Sequence, residues 1–232
     1  MTTHDDLLSQ RLFQDRIDEA VRFHNDGNLI MTKRVIEELL AIAPNSPDAL
    51  HLLSLVEVKN QNPNIALKNI SKAIELSPLN AAMHNSLGIV LHELCEYDQA
   101  IASYGEAIRI NPGFSEAFYN AGNAYCQKND LNQALTCYES AITLNSSYIN
   151  AHLNMGIVGF DLGLYLKAVE SFERVLTLDP THAEAYFNKG LALEELGRLN
   201  EALIDYDRAL IFKSDHIGAL ARKTNLKHSL SK

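Results

Sequence analysis

Apolar residues in this chain return at three- and four-residue steps, in segments of about 14 residues set apart by short polar breaks. That rhythm predicts paired amphipathic helices rather than strands. The stretch GRLNEALIDYDRAL at 197–210 reads as a turn entering such a helix, and CEYDQAIASYGEAI (95–108) and GLYLKAVESFERVL (163–176) say nearly the same thing. The repetition has a fixed period. Ala66, Ala100, Ala134, Ala168 and Ala202 stand 34 residues apart, and Gly88, Gly122, Gly156 and Gly190 keep the same interval. Ala73, Ala107 and Ala141 share it, continuing through Val175 to Ala209. So do Pro44, Pro78, Pro112 and Pro180, with Ser146 and Ser214 in the proline-free slots, and the large residues Ile36, Ile70, Tyr104, Tyr138, Phe172 and Tyr206.

Each residue type has a physical job. Small side chains at the Gly and first Ala positions let two antiparallel helices approach closely where they cross. The large residue four positions after that Ala shares its helix face and is expected to fill the gap to the next unit. Gly27, Gly163 and Gly197 fall between paired helices, where a left-handed residue ends the first helix. Asn129 tolerates the same slot. Asn62-Pro63 offers an N-cap with proline at the first helical position, and the periodic prolines stop the second helices.

This pattern resembles the tetratricopeptide repeat family, whose unit is a 34-residue helix–turn–helix. The resemblance covers six units, 13–46, 47–80, 81–114, 115–148, 149–182 and 183–216. Residues 1–12 extend the first helix, and 217–232 form a C-terminal capping helix. The first unit is degenerate, with Ala20 and Thr32 in the small-residue slots. The resemblance implies an all-α, right-handed superhelical solenoid in which first helices line a concave face. No repeat buries its apolar stripe alone, so neighbours must stack and the ends need caps. In the cap, Arg222, Lys223, Lys227, His228 and Lys232 suit a helix C-terminus and a wetted outer face.

Composition narrows the function class. The net charge of -9 gives phosphate neutralisation no general support, so nucleic acid is not an expected partner. Nothing approaches the roughly 18 apolar residues of a membrane helix, and MTTHDDLLSQ is unlike a signal peptide. Three cysteines without a CxxC pair suit a reducing compartment, so a cytoplasmic location is expected. Chemistry is sparse. The glycines of GIVGFDLG fall on packing and turn slots without a preceding strand, and Gly156 with Gly159 is expected to soften its helix. His92 and Cys95 stand three apart but lack a third ligand, so a solvated histidine beside a loop thiol is expected. Cys126 shows no activating neighbour, and Glu194 and Glu195 point about 100° apart. No enzyme, cofactor or metal is expected.

In the family register, positions 2, 5, 6, 9, 12 and 13 of each unit face the concave side. Position 6 is Asn120, Asn154 and Asn188 in the last three units, with Ser86 before them and Asn85 one step away. A carboxamide can accept from a peptide N–H and donate to its C=O, so these residues could hold an extended chain. They could equally bond to neighbouring helices. Tyr119, Asn123, Leu153, Phe160 and Phe187 lie around them, with Asp161, Glu184, Glu194 and Glu195. The candidate peptide groove is therefore Asn85, Tyr119, Asn120, Asn123, Asn154, Glu184, Phe187 and Asn188, and its acids suit a basic partner. A dicarboxylate clamp is disfavoured, because its cation slots hold Tyr119, Glu184 and Asn188.

The expected function is a non-catalytic interaction scaffold for an extended peptide or protein segment. The chain is also similar to the repeat superhelix of O-linked N-acetylglucosamine transferases and their bacterial relatives, which implies a substrate-recruiting arm without its catalytic domain. A third reading is a structural subunit that assembles with copies of itself.

Overall fold

The structure, a computed structural model, describes residues 4–231, with side chains described from residue 11. Residues 1–3 and residue 232, within the expected extension and cap, lie outside the described residues. Among those described are thirteen α-helices and no strand. They are α1 (His4–Asn25), α2 (Leu29–Ile42), α3 (Pro47–Lys59), α4 (Pro63–Leu76), α5 (Ala81–Glu93), α6 (Tyr97–Ile110) and α7 (Ser115–Gln127). After these come α8 (Leu131–Leu144), α9 (Ile149–Asp161), α10 (Tyr165–Leu178), α11 (Ala183–Glu195), α12 (Leu199–Phe212) and α13 (Ile217–Leu230). The all-α helix–turn–helix architecture is as the period implies.

Two compact units meet in sequence at Asn120 and Ala121. In the first, Ile17, Val35, Ile36, Leu39, Leu52 and Val56 form one buried cluster. Leu50, Ala66, Ile70, Met83 and Val90 form another. In the second unit, Phe172, Leu193, Tyr206, Ala219 and Leu226 belong to one core drawn from α10 to α13. Helix α13 gives Ala219 and Leu226 to that core and leaves Ile217, Leu220 and Leu230 exposed. Its cations are less free than expected, since Arg222 reaches Glu194 at 3.8 Å and Lys223 pairs with Asp207.

The glycine ladder has a specific partner. A Cβ on Gly122, Gly156 or Gly190 would stand 2.6, 2.5 and 2.5 Å from the ring of Tyr138, Phe172 and Tyr206 respectively. Gly88 and Tyr104 repeat the arrangement. Each ring is almost wholly buried. The period alone assigned these rings to the gap toward the following unit; the structure lays each over the glycine of its own helix pair.

The turns inside the pairs follow the expected left-handed geometry at Gly27, Gly163, Gly197 and Asn129. Gln61 and Cys95 occupy the same slot with φ of 61° each, which nothing in their residue types signals. A side chain there costs on the order of 1 kcal/mol relative to glycine. Cys95→Gly is therefore expected to raise stability by up to about 1 kcal/mol, read as a higher urea midpoint with unchanged helicity. Pro63 stands at the start of α4 as expected, but the Asn62 side chain makes no cap bond. Its amide donates instead to Glu57 Oε2 at 2.8 Å, and Lys33 Nζ meets the other oxygen of that buried carboxylate at 2.7 Å.

Candidate functional site

The first helices of successive pairs are joined by side-chain hydrogen bonds, and these follow a rule. In the third, fourth and fifth units the residue at position 6 bonds back to the preceding first helix. Ser86 Oγ on α5 meets His51 Nε2 on α3 at 2.7 Å. Asn120 Nδ2 donates to Asn85 Oδ1 at 3.0 Å. Asn154 Nδ2 on α9 donates to Asn123 Oδ1 on α7 at 3.0 Å, and the Tyr138 hydroxyl donates to the same oxygen at 2.8 Å. Asn85 is buried, 4% exposed, so its partner matters for folding. Much of the amide series is thus engaged in holding helices together. Asn123 Oδ1 accepts two of these bonds and so has both lone pairs engaged, whereas the Asn120 bond uses one of that amide's two N–H donors.

The rule breaks at Asn188. On the preceding first helix its two back-facing slots hold Leu153 and Ile157, neither of which can accept a hydrogen bond. The Asn188 side chain has no hydrogen-bond partner among the described residues. Its amide instead lines a cavity of about 200 Å3, together with Ile157, Phe160, Asp161, Phe172 and Leu191. Two first helices, α9 and α11, form the walls and α10 supplies the Phe172 floor.

Other expected site residues are more occupied. Phe187 is half-buried, its ring 4.5 Å from His216 and 6.0 Å from Tyr206 between centroids. Glu184 is exposed but engages Lys213 at 3.4 Å and His216 at 3.3 Å. Glu194 accepts from the Tyr206 hydroxyl. Tyr119 is half-buried on α7. The residues on α9 and α11 that close the cavity, Ile157 and Leu191, were not among those singled out from sequence. Their signal was available only as apolar residues where a back-bonding polar one was due.

Burial acts on two of the three thiols. Burial pushes the Cys126 thiol up, against a hydrogen-bond contact with Tyr138 Oη at 3.4 Å, and the Asp161 carboxylate adds to the upward shift. Burial raises Cys137 to about 11, with Cys126 and Asp130 contributing. His92 departs from the expected solvated state: its ring stands edge-on to Tyr97 at 5.3 Å and its Nε2 is buried without a hydrogen-bond partner. Among the described residues no three His, Cys, Asp or Glu side chains group as a metal site would require. No helix among them is long and apolar enough to cross a membrane.

Comparisons with known proteins agree with this architecture. Family models described as "TPR repeat" match residues 96–127 and 122–163, and one described as "Tetratricopeptide repeat" matches 153–216, together just over half of the chain. Over 125 residues the chain is 26% identical to the Arabidopsis thaliana protein named "Probable UDP-N-acetylglucosamine--peptide N-acetylglucosaminyltransferase SEC". That match takes in 53% of this chain and only 13% of the plant protein. Among solved structures, Pseudomonas aeruginosa PilF superposes with a TM-score of 0.82 at 20% identity, covering 93% of this chain and 98% of that one. YrrB, described as a TPR protein with an unusual peptide-binding site, gives 0.69 at 23% identity, covering 82% and 97%. The shared element is the repeat fold. The chain belongs to the tetratricopeptide repeat family.

Proposed function

We propose that this chain is a non-catalytic interaction scaffold that holds an extended protein segment against its first helices. In this reading the repeats are 13–46, 47–80, 81–114, 115–148, 149–182 and 183–216, capped by 217–232. The groove then runs over Asn85, Tyr119, Asn120, Asn123, Asn154, Glu184, Phe187 and Asn188. The observation that carries the reading is Asn188, a carboxamide without a partner among the described residues at the edge of an apolar cavity. Family membership supports protein binding as the class of activity. Three free thiols accord with a reducing, cytoplasmic setting.

Two substitutions separate ligand binding from helix joining. Asn188→Ala removes no internal bond, so it is expected to weaken a peptide selected from a displayed decapeptide library by fivefold or more, with unchanged melting. Asn120→Ala leaves the buried Asn85 oxygen without its donor and is expected to cost about 1 kcal/mol of stability. Isothermal titration and urea denaturation read the two effects. Unchanged affinity in Asn188→Ala would count against the groove.

The similarity to the plant transferase favours a second reading, in which these repeats recruit substrates for a glycosyltransferase. That reading predicts that the selected peptides are rich in Ser and Thr acceptor sites. A selection without hydroxyl enrichment would argue against it.

A further inference from the structure

We infer that the cavity beside Asn188 receives one bulky apolar side chain, that of leucine, methionine or phenylalanine, from an extended segment carrying a lysine or arginine next to it. This rests on the groove reading above and names the segment it would hold.

Size comes first. A dry cavity of about 150 Å3 is enough to take up benzene, and this one measures about 200 Å3. One large side chain fits. Four of the six lining residues, Ile157, Phe160, Phe172 and Leu191, are apolar, so the gain comes from removing the side chain's apolar surface from water. Ile157 is 39% exposed and keeps the entrance open to solvent. The single amide then has a defined use: with a side chain inserted, the adjoining ligand backbone passes the rim, where Asn188 can accept from its N–H or donate to its C=O.

Charge sets the neighbour. Asp161 also lines the cavity, is exposed, and enters no ion pair among the described residues. The one cation on α9 or α11, Lys189, is taken by Asp205 at 3.3 Å and Glu173 at 3.6 Å, on α12 and α10. A cation beside the anchor therefore meets a carboxylate without a competing internal partner, whereas an acidic residue would be repelled.

The test uses the full chain and an array of acetylated octapeptides. One central position carries each of the twenty residues, and its neighbour carries either Lys or Glu. The wild-type protein is expected to bind Leu, Met or Phe beside Lys at least tenfold more tightly than Ala beside Lys. It should also prefer Lys to Glu severalfold at low salt. Ile157→Trp, whose indole fills the cavity, should lose the apolar preference, and Asp161→Asn should lose only the Lys preference. Leu191→Phe fills the same space and must show the same loss if Ile157→Trp fails to fold. Binding that depends on Asn188 but ignores the central side chain overturns the anchor alone. Failure of every peptide to bind overturns the groove reading and the anchor with it.

Discussion

Tyr206→Ala is expected to destabilise the chain by about 3–5 kcal/mol, the usual cost of removing a wholly buried aromatic ring. The ring lies where no other side chain can follow, because its Cε1 stands 2.5 Å from where a Gly190 Cβ would be. Its hydroxyl also donates to Glu194, so the substitution leaves that carboxylate oxygen with only the longer Arg222 contact at 3.8 Å. The opposite change has a related cost: Gly190→Ala forces the ring aside, at about 1–3 kcal/mol. The two positions are coupled, and the equivalent pair Gly156 and Phe172 gives a cleaner cycle because phenylalanine has no hydroxyl. Gly156→Ala combined with Phe172→Leu should cost at least about 0.5 kcal/mol less than the sum of the single substitutions. Urea denaturation followed by circular dichroism measures each value. Strict additivity would show that glycine and ring are not in contact.

Acidification from pH 7 to pH 4 is expected to remove about 3 kcal/mol through His51. Burial is the main cause: it drops the folded value to about 4 from an ordinary 6.5, with His24 adding to the fall and Asp48 opposing it. The imidazole is neutral in the fold and bonded to Ser86. Between pH 6.5 and 4 the unfolded chain binds the proton and the folded chain does not, so stability rises with pH across that window. It is fully present above 6.5 and lost as pH falls toward 4. His24 and His152 are lowered by burial and act in the same direction. Asp205 is raised by burial against the attraction of Lys189, so its contribution runs the other way, falling as pH rises from 3.8. His51→Gln should keep a polar side chain near Ser86 and flatten the pH dependence of the urea midpoint. An unaltered slope in that variant would assign the effect elsewhere.

The period was legible because packing repeats it. Gly, Ala and a large residue must recur every 34 positions if each pair is to cross closely, and a left-handed residue must recur at each turn, glycine at Gly27, Gly163 and Gly197. Where the backbone alone decides, residue type is silent: Gln61 and Cys95 adopt the geometry of Gly163 with no compositional sign of it. The site was legible only in part. The amides were visible as a column, but whether each faces a ligand or a helix depends on what stands 31 or 35 residues earlier. Asn85 and Asn123 answer Asn120 and Asn154; Leu153 and Ile157 do not answer Asn188. Glu184 looked like a ligand for cations, and it is one, but for Lys213 of this same chain, with His216 at 3.3 Å beside it.

Whether a partner occupies the leading helix of each pair can be read from methyl NMR of the full chain titrated with a library-selected decapeptide. Leu153, Ile157 and Leu191 are expected to shift with saturation, while the exposed methyls of Leu166, Ile204 and Ile211 on the trailing helices hold their positions. Shifts confined to Leu166, Ile204 and Ile211 would place the partner on the other wall and contradict the account.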